Sequence, residues 1–227
     1  MSLRRFEDAI LTVASAPARS SHRLARTLAL LEDGAPGAYV GIFAVTARRA
    51  GGDLRSLEAL VRAGLAGTLA VLAAGLIAWA LPRERPPQRL WSSRRAASDE
   101  HAFPSDHAAG AAAFYCAAGE LPPWPRRAVR ILAVTTIASR LALARHWPSD
   151  LAAGVALGVT AERLVRGAPR ATIHLAHWAQ RLLLLAPQEA ASPASCLLLP
   201  GPQQAPPPPT PRGSLLSAPR DRSRWAR

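Results

Sequence analysis

The sequence predicts an all-α integral membrane bundle of about five or six helices, followed by a disordered C-terminal tail rich in proline and arginine. The first reason is a run of twenty residues without a charged side chain, from Ala63 to Pro82. At 1.5 Å per helical residue this run covers roughly 30 Å, which matches the hydrocarbon core of a bilayer. The second reason is a series of shorter apolar stretches separated by arginine-bearing loops. The third is the proline-rich end, whose missing backbone donors disfavour both helix and sheet.

The composition excludes several classes of protein. The chain has 227 residues, is 49% hydrophobic and carries a formal net charge of +13. Hydrophobic content near half excludes a wholly disordered protein, and two cysteines exclude a disulfide scaffold and a four-thiolate zinc site. All 28 basic residues are arginine, and lysine and asparagine are absent, which is typical of the codon bias of a GC-rich genome. The positive charge is therefore weak evidence for nucleic-acid binding.

The N-terminal segment, residues 1–33, is expected to lie at the membrane interface. Arg4 and Arg5 precede a weak apolar stretch whose start is interrupted by Glu7 and Asp8. This pattern favours an interfacial helix over a signal peptide.

A membrane domain is predicted for residues 34–186. The run that ends near Trp79 is flanked by Arg62 and Arg83, which can reach the headgroups. A buried helix of a soluble protein is the alternative for this run. The other predicted helices lie at 34–47, 108–119, 131–139 and 151–161, with an amphipathic or terminal helix at 172–185. Residues 187–227 are predicted to be disordered.

The connecting loops are predicted at 48–62, 83–106, 121–130 and 140–150. Because the helices between the second and fourth loops form a hairpin, those two loops return to the same face of the membrane. The first and third loops share the other face, where the positive-inside rule favours the cytoplasm. Both faces carry similar numbers of arginines, so charge alone decides the orientation weakly.

Three clusters of reactive and anion-binding residues lie in the two loops that share a face. They are Arg-Glu-Arg-Pro-Pro at 83–87, Phe-Pro-Ser-Asp-His at 103–107, and Ser-Arg-Leu-Ala-Leu-Ala-Arg-His-Trp-Pro-Ser-Asp at 139–150. Polar groups at membrane depth are costly unless they have a purpose. The clustering therefore indicates a functional site.

These residue types suit phosphoryl transfer. Two arginines supply forked donors for phosphate oxygens, and two histidines can act as nucleophile and general acid. Asp150 lies four residues after His146, one helical turn away, and is expected to hold the imidazole tautomer by accepting its N–H. His146 would attack phosphorus, and His107 would protonate the departing oxygen and then activate water. A plain helix-surface pair is the alternative for His146 and Asp150, and a membrane-flanking arginine is the alternative for Arg85.

The pattern Arg-Pro, Pro-Ser-x-His, Ser-Arg-x5-His-x3-Asp resembles the type 2 phosphatidic acid phosphatase superfamily over roughly residues 63–166. The resemblance implies a helical bundle with its site at the extracytoplasmic face. It also implies a phosphohistidine mechanism that needs neither metal nor cofactor. The residues implied are His146 as nucleophile, Asp150 as its partner, His107 as acid, Arg85 and Arg140 as phosphate ligands, and Ser105 with the backbone amide of Asp106 as further phosphate ligands.

The sequence departs from the family pattern at Ala78, where the first motif has a lysine seven residues before its arginine. Arg83 is a candidate to supply the missing charge. Asp106 stands where many members have glycine, and Phe-Pro-Ser-Asp-His resembles the undecaprenyl diphosphatase branch. A carboxylate beside a phosphate is unfavourable unless Asp106 points away.

The expected substrate is a lipid phosphate or diphosphate in a bacterial plasma membrane that the chain crosses several times. Polyprenyl diphosphate is preferred, with phosphatidic acid and phosphatidylglycerophosphate as alternatives. The non-enzymatic alternative is a catalytically degenerate protein that binds lipid. Nucleic acid is not expected as a partner.

Overall fold

The structure is a computed structural model that describes residues 3–87 and 101–185, with side chains described to residue 182. The described residues form seven α-helices, one short 3-10 helix and no strand. The α-helices are α1 (Leu3–Ser20), α2 (His22–Ala50), α3 (Leu54–Ala80), α4 (Asp106–Ala117), α5 (Pro123–Ala142), α6 (Pro148–Arg166) and α7 (Pro169–Leu185); the 3-10 helix is Ala118–Glu120. The predicted all-α class is confirmed, with seven described helices rather than five or six.

Two helices, α2 and α3, are long and apolar enough to cross a membrane, which is consistent with a membrane protein. On α3 the side chains of Leu72, Leu76 and Trp79 are exposed at i, i+4 and i+7. These residues form one outward apolar stripe, as expected of a lipid-facing surface. The predicted disordered tail, 187–227, lies outside the described residues.

Several predicted boundaries are wrong. The division between residues 33 and 34 falls inside α2, which continues through Glu32, Asp33 and Pro36. The predicted loops at 48–62, 121–130 and 140–150 are too long, because α3 begins at Leu54, α5 extends over 123–142 and α6 begins at Pro148. The physical reason is that arginine is a good helix former and suits helix ends, so an arginine-bearing segment need not be a loop.

A tight turn joins α2 to α3. Gly51 (φ 55°) and Gly52 (φ 95°) adopt positive φ values, which glycine reaches without a Cβ penalty. Asp53 then caps α3, since its carboxylate accepts from the backbone N–H of Ser56 at 3.0 Å. This turn sends α3 back antiparallel to α2 and so toward the end of the bundle where α1 and α2 meet.

Small residues bring α3, α4 and α6 close together. Buried alanines from all three helices form one cluster, with members Ala66, Ala70, Ala74, Ala109, Ala113 and Ala161. On α6, a Cβ at Gly154 would overlap the carbonyl oxygen of Ser105, and a Cβ at Gly158 would overlap that of Ala109. This close approach sets the start of α4 against the start of α6, which is where the second and third sequence clusters lie.

The far end of the same helices carries a charged network. Arg62 of α3 contacts Glu58 at 2.7 Å and also Glu120. Arg166 at the end of α6 contacts Glu120 at 3.0 Å and Glu162. The network therefore links the start of α3, the end of α4 and the end of α6, opposite the three sequence clusters.

Candidate active site

The first and second clusters are joined by the backbone. After α3 ends, Arg83 pairs with His101 in an isolated parallel bridge, and Ala102 N–H donates to the carbonyl of Arg83 at 2.9 Å. The Arg85 side chain also reaches this segment, since its Nη2 donates to the carbonyl of His101 at 3.4 Å. The pairing holds residues 83–87 beside 101–105.

The third cluster is turned into the site by the end of α5. Ala144 N–H donates to the Leu141 carbonyl at 3.0 Å, and Arg145 N–H donates to the Arg140 carbonyl at 3.0 Å. This is the Schellman pattern, with the residue after the cap in the left-handed region. That residue is Ala144, with φ 50°, where glycine is usual. The turn places His146 between α5 and α6.

His146 is buried, with 1% of its surface exposed. Its Nδ1 lies 2.9 Å from the carbonyl oxygen of Ala102. Because a carbonyl only accepts, the neutral ring carries its proton on Nδ1 and presents a lone pair on Nε2. That Nε2 lies 3.2 Å from Nη1 of Arg85. The candidate nucleophile and the candidate phosphate-binding arginine are thus in direct contact.

The His146 ring N–H does not donate to Asp150, the partner predicted from the sequence. Asp150 Oδ2 lies 3.9 Å from Nδ1, beyond hydrogen-bond distance, and the Ala102 carbonyl takes the proton instead. The i,i+4 spacing brings the two residues close, but loop 143–147 is not helical. The ring therefore turns toward the second cluster rather than along a helix face.

The charge state of His146 follows from its surroundings. Burial, together with the positive charges of Arg85 and Arg140, lowers the pKa of His146 to about 3. Desolvation and neighbouring cations both disfavour the imidazolium form. His146 is therefore neutral across the physiological pH range, as a nucleophile requires.

Asp150 anchors the loop and the first cluster. Its fully buried carboxylate accepts from Trp147 N–H at 2.9 Å and from Nη1 of Arg83 at 2.7 Å. Nη2 of Arg83 donates to Glu7 of α1 at 3.0 Å. Glu7 also accepts from Ser149 N–H at 3.2 Å. Arg83, the candidate to replace the lysine missing at Ala78, is thus held between two carboxylates.

His107 lies in the first turn of α4. Ser105 caps this helix, because its Oγ accepts from Ala108 N–H at 3.3 Å, and its own N–H donates to the Asp150 carbonyl at 3.1 Å. The Asp106 carboxylate accepts from the backbone N–H of His107 and lies 2.7 Å from the ring Nδ1. The Asp106 carboxylate therefore points to His107 and contacts its Nδ1, which leaves Nε2 of the ring available to a substrate.

Arg140 lies at the end of α5 and contacts a residue that the motifs do not include. Its Nη1 is paired with Oε1 of Glu32 from α2, and Oε2 of Glu32 lies 3.0 Å from Nε of Arg145. All three side chains are buried. One carboxylate thus bridges an arginine at the end of α5 and an arginine in the loop that carries His146.

Sequence reasoning missed Glu7, Glu32, Arg145 and the Ala102 carbonyl. A signal existed for the two glutamates, because each interrupts a buried helical stripe. On α1 the stripe is Glu7, Leu11, Ser15 and Ala18; on α2 it is Ala25, Ala29, Glu32, Ala35 and Tyr39. A carboxylate at an apolar position of such a stripe indicates a buried cation nearby.

A cavity of about 260 Å³ opens beside His107. Its walls are mainly apolar side chains of α2, α3, α4 and α5, including Tyr39, Val71 and Phe114. The cavity therefore joins the candidate acid to an apolar space.

Among the described residues, no group of three or more histidine, cysteine, aspartate or glutamate side chains is placed to hold a metal ion.

Comparison with known proteins gives one match. Residues 59–171 match the family model described as the PAP2 superfamily, which spans α3 to the start of α7 and includes all three clusters. This match supports the superfamily and a phosphoric ester hydrolase. No curated protein and no solved structure matches the chain. Helices α1 and α2, with Glu7 and Glu32, precede the matched segment.

Proposed function

We propose, from the PAP2 superfamily match of residues 59–171, that this protein is a membrane phosphatase that hydrolyses a lipid phosphate through a phosphohistidine on His146. The observation that carries the proposal is the orientation of the His146 ring. Its Nδ1 is fixed on the Ala102 carbonyl, and its Nε2 faces the guanidinium of Arg85. A phosphate held by that guanidinium would lie next to the attacking lone pair.

The first step forms a bond between Nε2 of His146 and phosphorus and breaks the bond from phosphorus to the leaving oxygen. Arg85, which contacts Nε2 in this structure, turns to a phosphate oxygen in the complex, and Arg140 binds a second oxygen. Positive charge at these oxygens stabilises the transition state. Ser105 Oγ–H and the backbone amide of Asp106 are the remaining phosphate donors in the proposal.

His107 supplies the proton for the leaving oxygen. Oδ1 of Asp106 lies 2.7 Å from Nδ1 of His107, so Nε2 of His107 is the atom that exchanges protons. In the second step His107 takes a proton from water, and the water oxygen attacks phosphorus. The bond from Nε2 of His146 to phosphorus then breaks, and inorganic phosphate leaves. Asp150 serves this cycle by fixing Trp147 N–H and Arg83, which holds the loop that carries the nucleophile.

A lipid is the proposed leaving group because of the surroundings of His107. The apolar cavity beside this residue suits a hydrocarbon chain, and α2 and α3 are long enough to cross a bilayer. The preferred substrate is undecaprenyl or another polyprenyl diphosphate, converted to the monophosphate plus phosphate. Its support is the Phe-Pro-Ser-Asp-His sequence at 103–107, together with Arg145, a buried arginine next to the nucleophile in addition to Arg85 and Arg140. Phosphatidic acid and phosphatidylglycerophosphate are the alternatives.

The proposed location is the bacterial plasma membrane, which the chain crosses several times, with the site on the extracytoplasmic face. The three clusters meet at one end of the bundle, and the exposed apolar stripe of α3 leads toward that end. A lipid headgroup at this membrane face would lie at the depth of the arginines.

A second candidate, a degenerate lipid-binding protein, is favoured by Ala78. The family lysine is absent there, and Arg83 is engaged by Asp150 and Glu7. Catalysis separates the two candidates, because the second one predicts lipid binding without phosphate release.

The test is phosphate release by detergent-purified protein in EDTA, with undecaprenyl diphosphate and phosphatidic acid supplied side by side. Wild type is expected to release phosphate, and His146→Ala is expected to lose at least a thousandfold in kcat because no phosphohistidine can form. The preferred lipid identifies the branch. Folded wild-type protein that releases no phosphate from either lipid would contradict the proposal, and Ala78→Lys would then test whether the missing lysine is the reason.

A further inference from the structure

The N-terminal helix α2 brings a carboxylate to the phosphate-binding end of the bundle. Glu32 is 1% exposed and lies on a stripe of α2 whose other members are small or apolar. Its two carboxylate oxygens are each paired with a different arginine, Arg140 and Arg145. The neighbouring Asp33 is exposed, so the burial is specific to Glu32.

The pairing leaves donors for an anion. The contacts of Glu32 are ion pairs without hydrogen-bond geometry, since neither of its oxygens makes a hydrogen bond to a described residue. The same holds for the buried Nε of Arg140 and for the buried Nε and Nη2 of Arg145. One carboxylate balances one of the two guanidinium charges, so the trio Glu32–Arg140–Arg145 keeps a net positive charge. Arginines this close repel each other unless an anion lies between them. Glu32 therefore keeps both in place when no phosphate is bound.

Stability alone is a poor reason for this arrangement. Burying a carboxylate and two guanidinium groups carries a large desolvation cost, and apolar replacements of such groups are often at least as stable. The position of α2 gives a better reason. One turn beyond Glu32, Ala35 and Pro36 line the cavity that opens beside His107. The same helix thus reaches both the arginines and the acid.

We infer that Glu32 is a positioning residue that holds Arg140 and Arg145 side by side for the phosphate, so that α2 is part of the catalytic unit although it precedes the matched segment. The inference rests on the proposed function, in which Arg140 binds a phosphate oxygen. Glu32 acts through the arginines, which bind the phosphate in the proposed mechanism. Its removal therefore affects the geometry of the transition state more than the attraction of an anion.

The experiment uses the full-length protein in detergent and compares Glu32→Gln with Asp33→Asn, which removes an adjacent exposed charge. Three quantities are measured: kcat with the lipid substrate, the Ki of inorganic phosphate, and the thermal midpoint with and without phosphate. Glu32→Gln is expected to lower kcat at least tenfold, because Arg140 loses its fixed orientation. The Ki of phosphate is expected to stay equal or fall, because the site gains positive charge. Asp33→Asn is expected to match wild type within twofold.

The inference is overturned if kcat of Glu32→Gln stays within twofold of wild type, or if phosphate binding weakens in parallel with kcat. If Glu32→Gln does not fold, Glu32→Asp decides, because it keeps the charge but has a shorter reach. This variant should lose several-fold in kcat with an unchanged Ki, and wild-type kcat would overturn the inference.

The assays also separate this inference from the proposed function. Wild type that is stabilised by phosphate but never releases it would contradict the proposed phosphatase. A smaller stabilisation by phosphate in Glu32→Gln than in wild type would then reject the role of Glu32 as well, and an equal or larger stabilisation would support it. Wild type that neither binds nor releases phosphate contradicts both.

Discussion

The two ends of the bundle both hold networks of arginines and carboxylates, but the networks differ in burial and in the origin of their partners. At the far end, Arg62 with Glu58 and Arg166 with Glu162 are pairs one helical turn apart. Two of the side chains there reach water, since Glu120 is 38% exposed and Arg166 is 48% exposed, whereas Arg62 and Glu162 are buried. At the site end, Glu7 meets Arg83 from 76 residues away, and the carboxylate is 2% exposed.

This difference separates a network that fastens helix ends from one that prepares a site. A local pair with one partner open to water contributes about 0–1 kcal/mol, because water and salt compensate the charge that remains when the other partner is removed. Buried pairs contribute little net stability when complete, but removal of one partner leaves a charge without compensation, at a cost of about 3–5 kcal/mol. Disruption of the site end is therefore expected to cost much more than disruption of the far end.

The largest effect is expected from a matched pair of substitutions on α6, Asp150→Asn and Glu162→Gln. In Asp150→Asn the new side-chain amide would either turn its NH2 group toward Arg83 or lose the contact with Trp147 N–H. Arg83 keeps its contact with Glu7, so the cost comes from a buried N–H donor that is left unpaired or is turned toward a cation. We expect a loss of about 3 kcal/mol in stability and at least tenfold in kcat. Glu162→Gln breaks a pair with the half-exposed Arg166 and should cost below about 1 kcal/mol, with kcat unchanged. Denaturant titration and phosphate release measure both quantities.

Equal losses of stability in these two variants would show that the ends do not differ as burial suggests. A loss of kcat in Glu162→Gln would show that the far end also serves the reaction.

An effect of intermediate size is expected from pH. His146 binds a proton near pH 6.5 in the unfolded chain and near pH 3 in the folded one, because of burial and of the charges on Arg85 and Arg140. The unfolded state therefore binds more protons in this window, and stability is lost as pH falls from about 6.5 toward 3. Between pH 7 and 4.5 the loss from this residue is about 2–3 kcal/mol.

His146→Gln removes the titrating ring and should show a shallower decline in unfolding free energy over the same pH range. Thermal or denaturant unfolding at a series of pH values makes the comparison. Parallel declines in the variant and in wild type would mean that His146 keeps an ordinary pKa, and hence that the site-end arginines do not act on it.

The smallest effect is expected from the backbone of the loop before His146. Ala144→Gly should change stability by less than about 0.5 kcal/mol, because relief of the Cβ penalty at positive φ offsets the loss of a methyl group buried against Leu11 and Trp147. Ala142→Gly, in the last helical turn, is the control and should lower stability by about 1 kcal/mol. Differential unfolding measurements distinguish the two variants, and an Ala144→Gly that is destabilised as much as Ala142→Gly or more would contradict the left-handed turn.

Much of the fold was predictable from periodicity and charge. The uncharged run at 63–82 identified α3, and the shorter apolar stretches lie within helices of the structure, except that 108–119 runs from α4 into the 3-10 helix. The lengths were not predictable in the same way, because arginines and glutamates inside α2, α3 and α5 are either paired or at helix ends. Charge along the chain does not reveal those partners, and the helices therefore extend beyond their apolar parts.

The candidate site shows the same division. The sequence by itself determined that Arg85, His107 and His146 share one end of a helical bundle, because motif spacing and helix parity are local properties of the chain. Only the tertiary structure decided that the His146 proton goes to the Ala102 carbonyl and that Arg83 is held by Asp150 and Glu7. Hydrogen bonds are short-ranged and directional, so the choice between an i,i+4 carboxylate and a distant carbonyl depends on how the folded chain orients each ring and carboxylate.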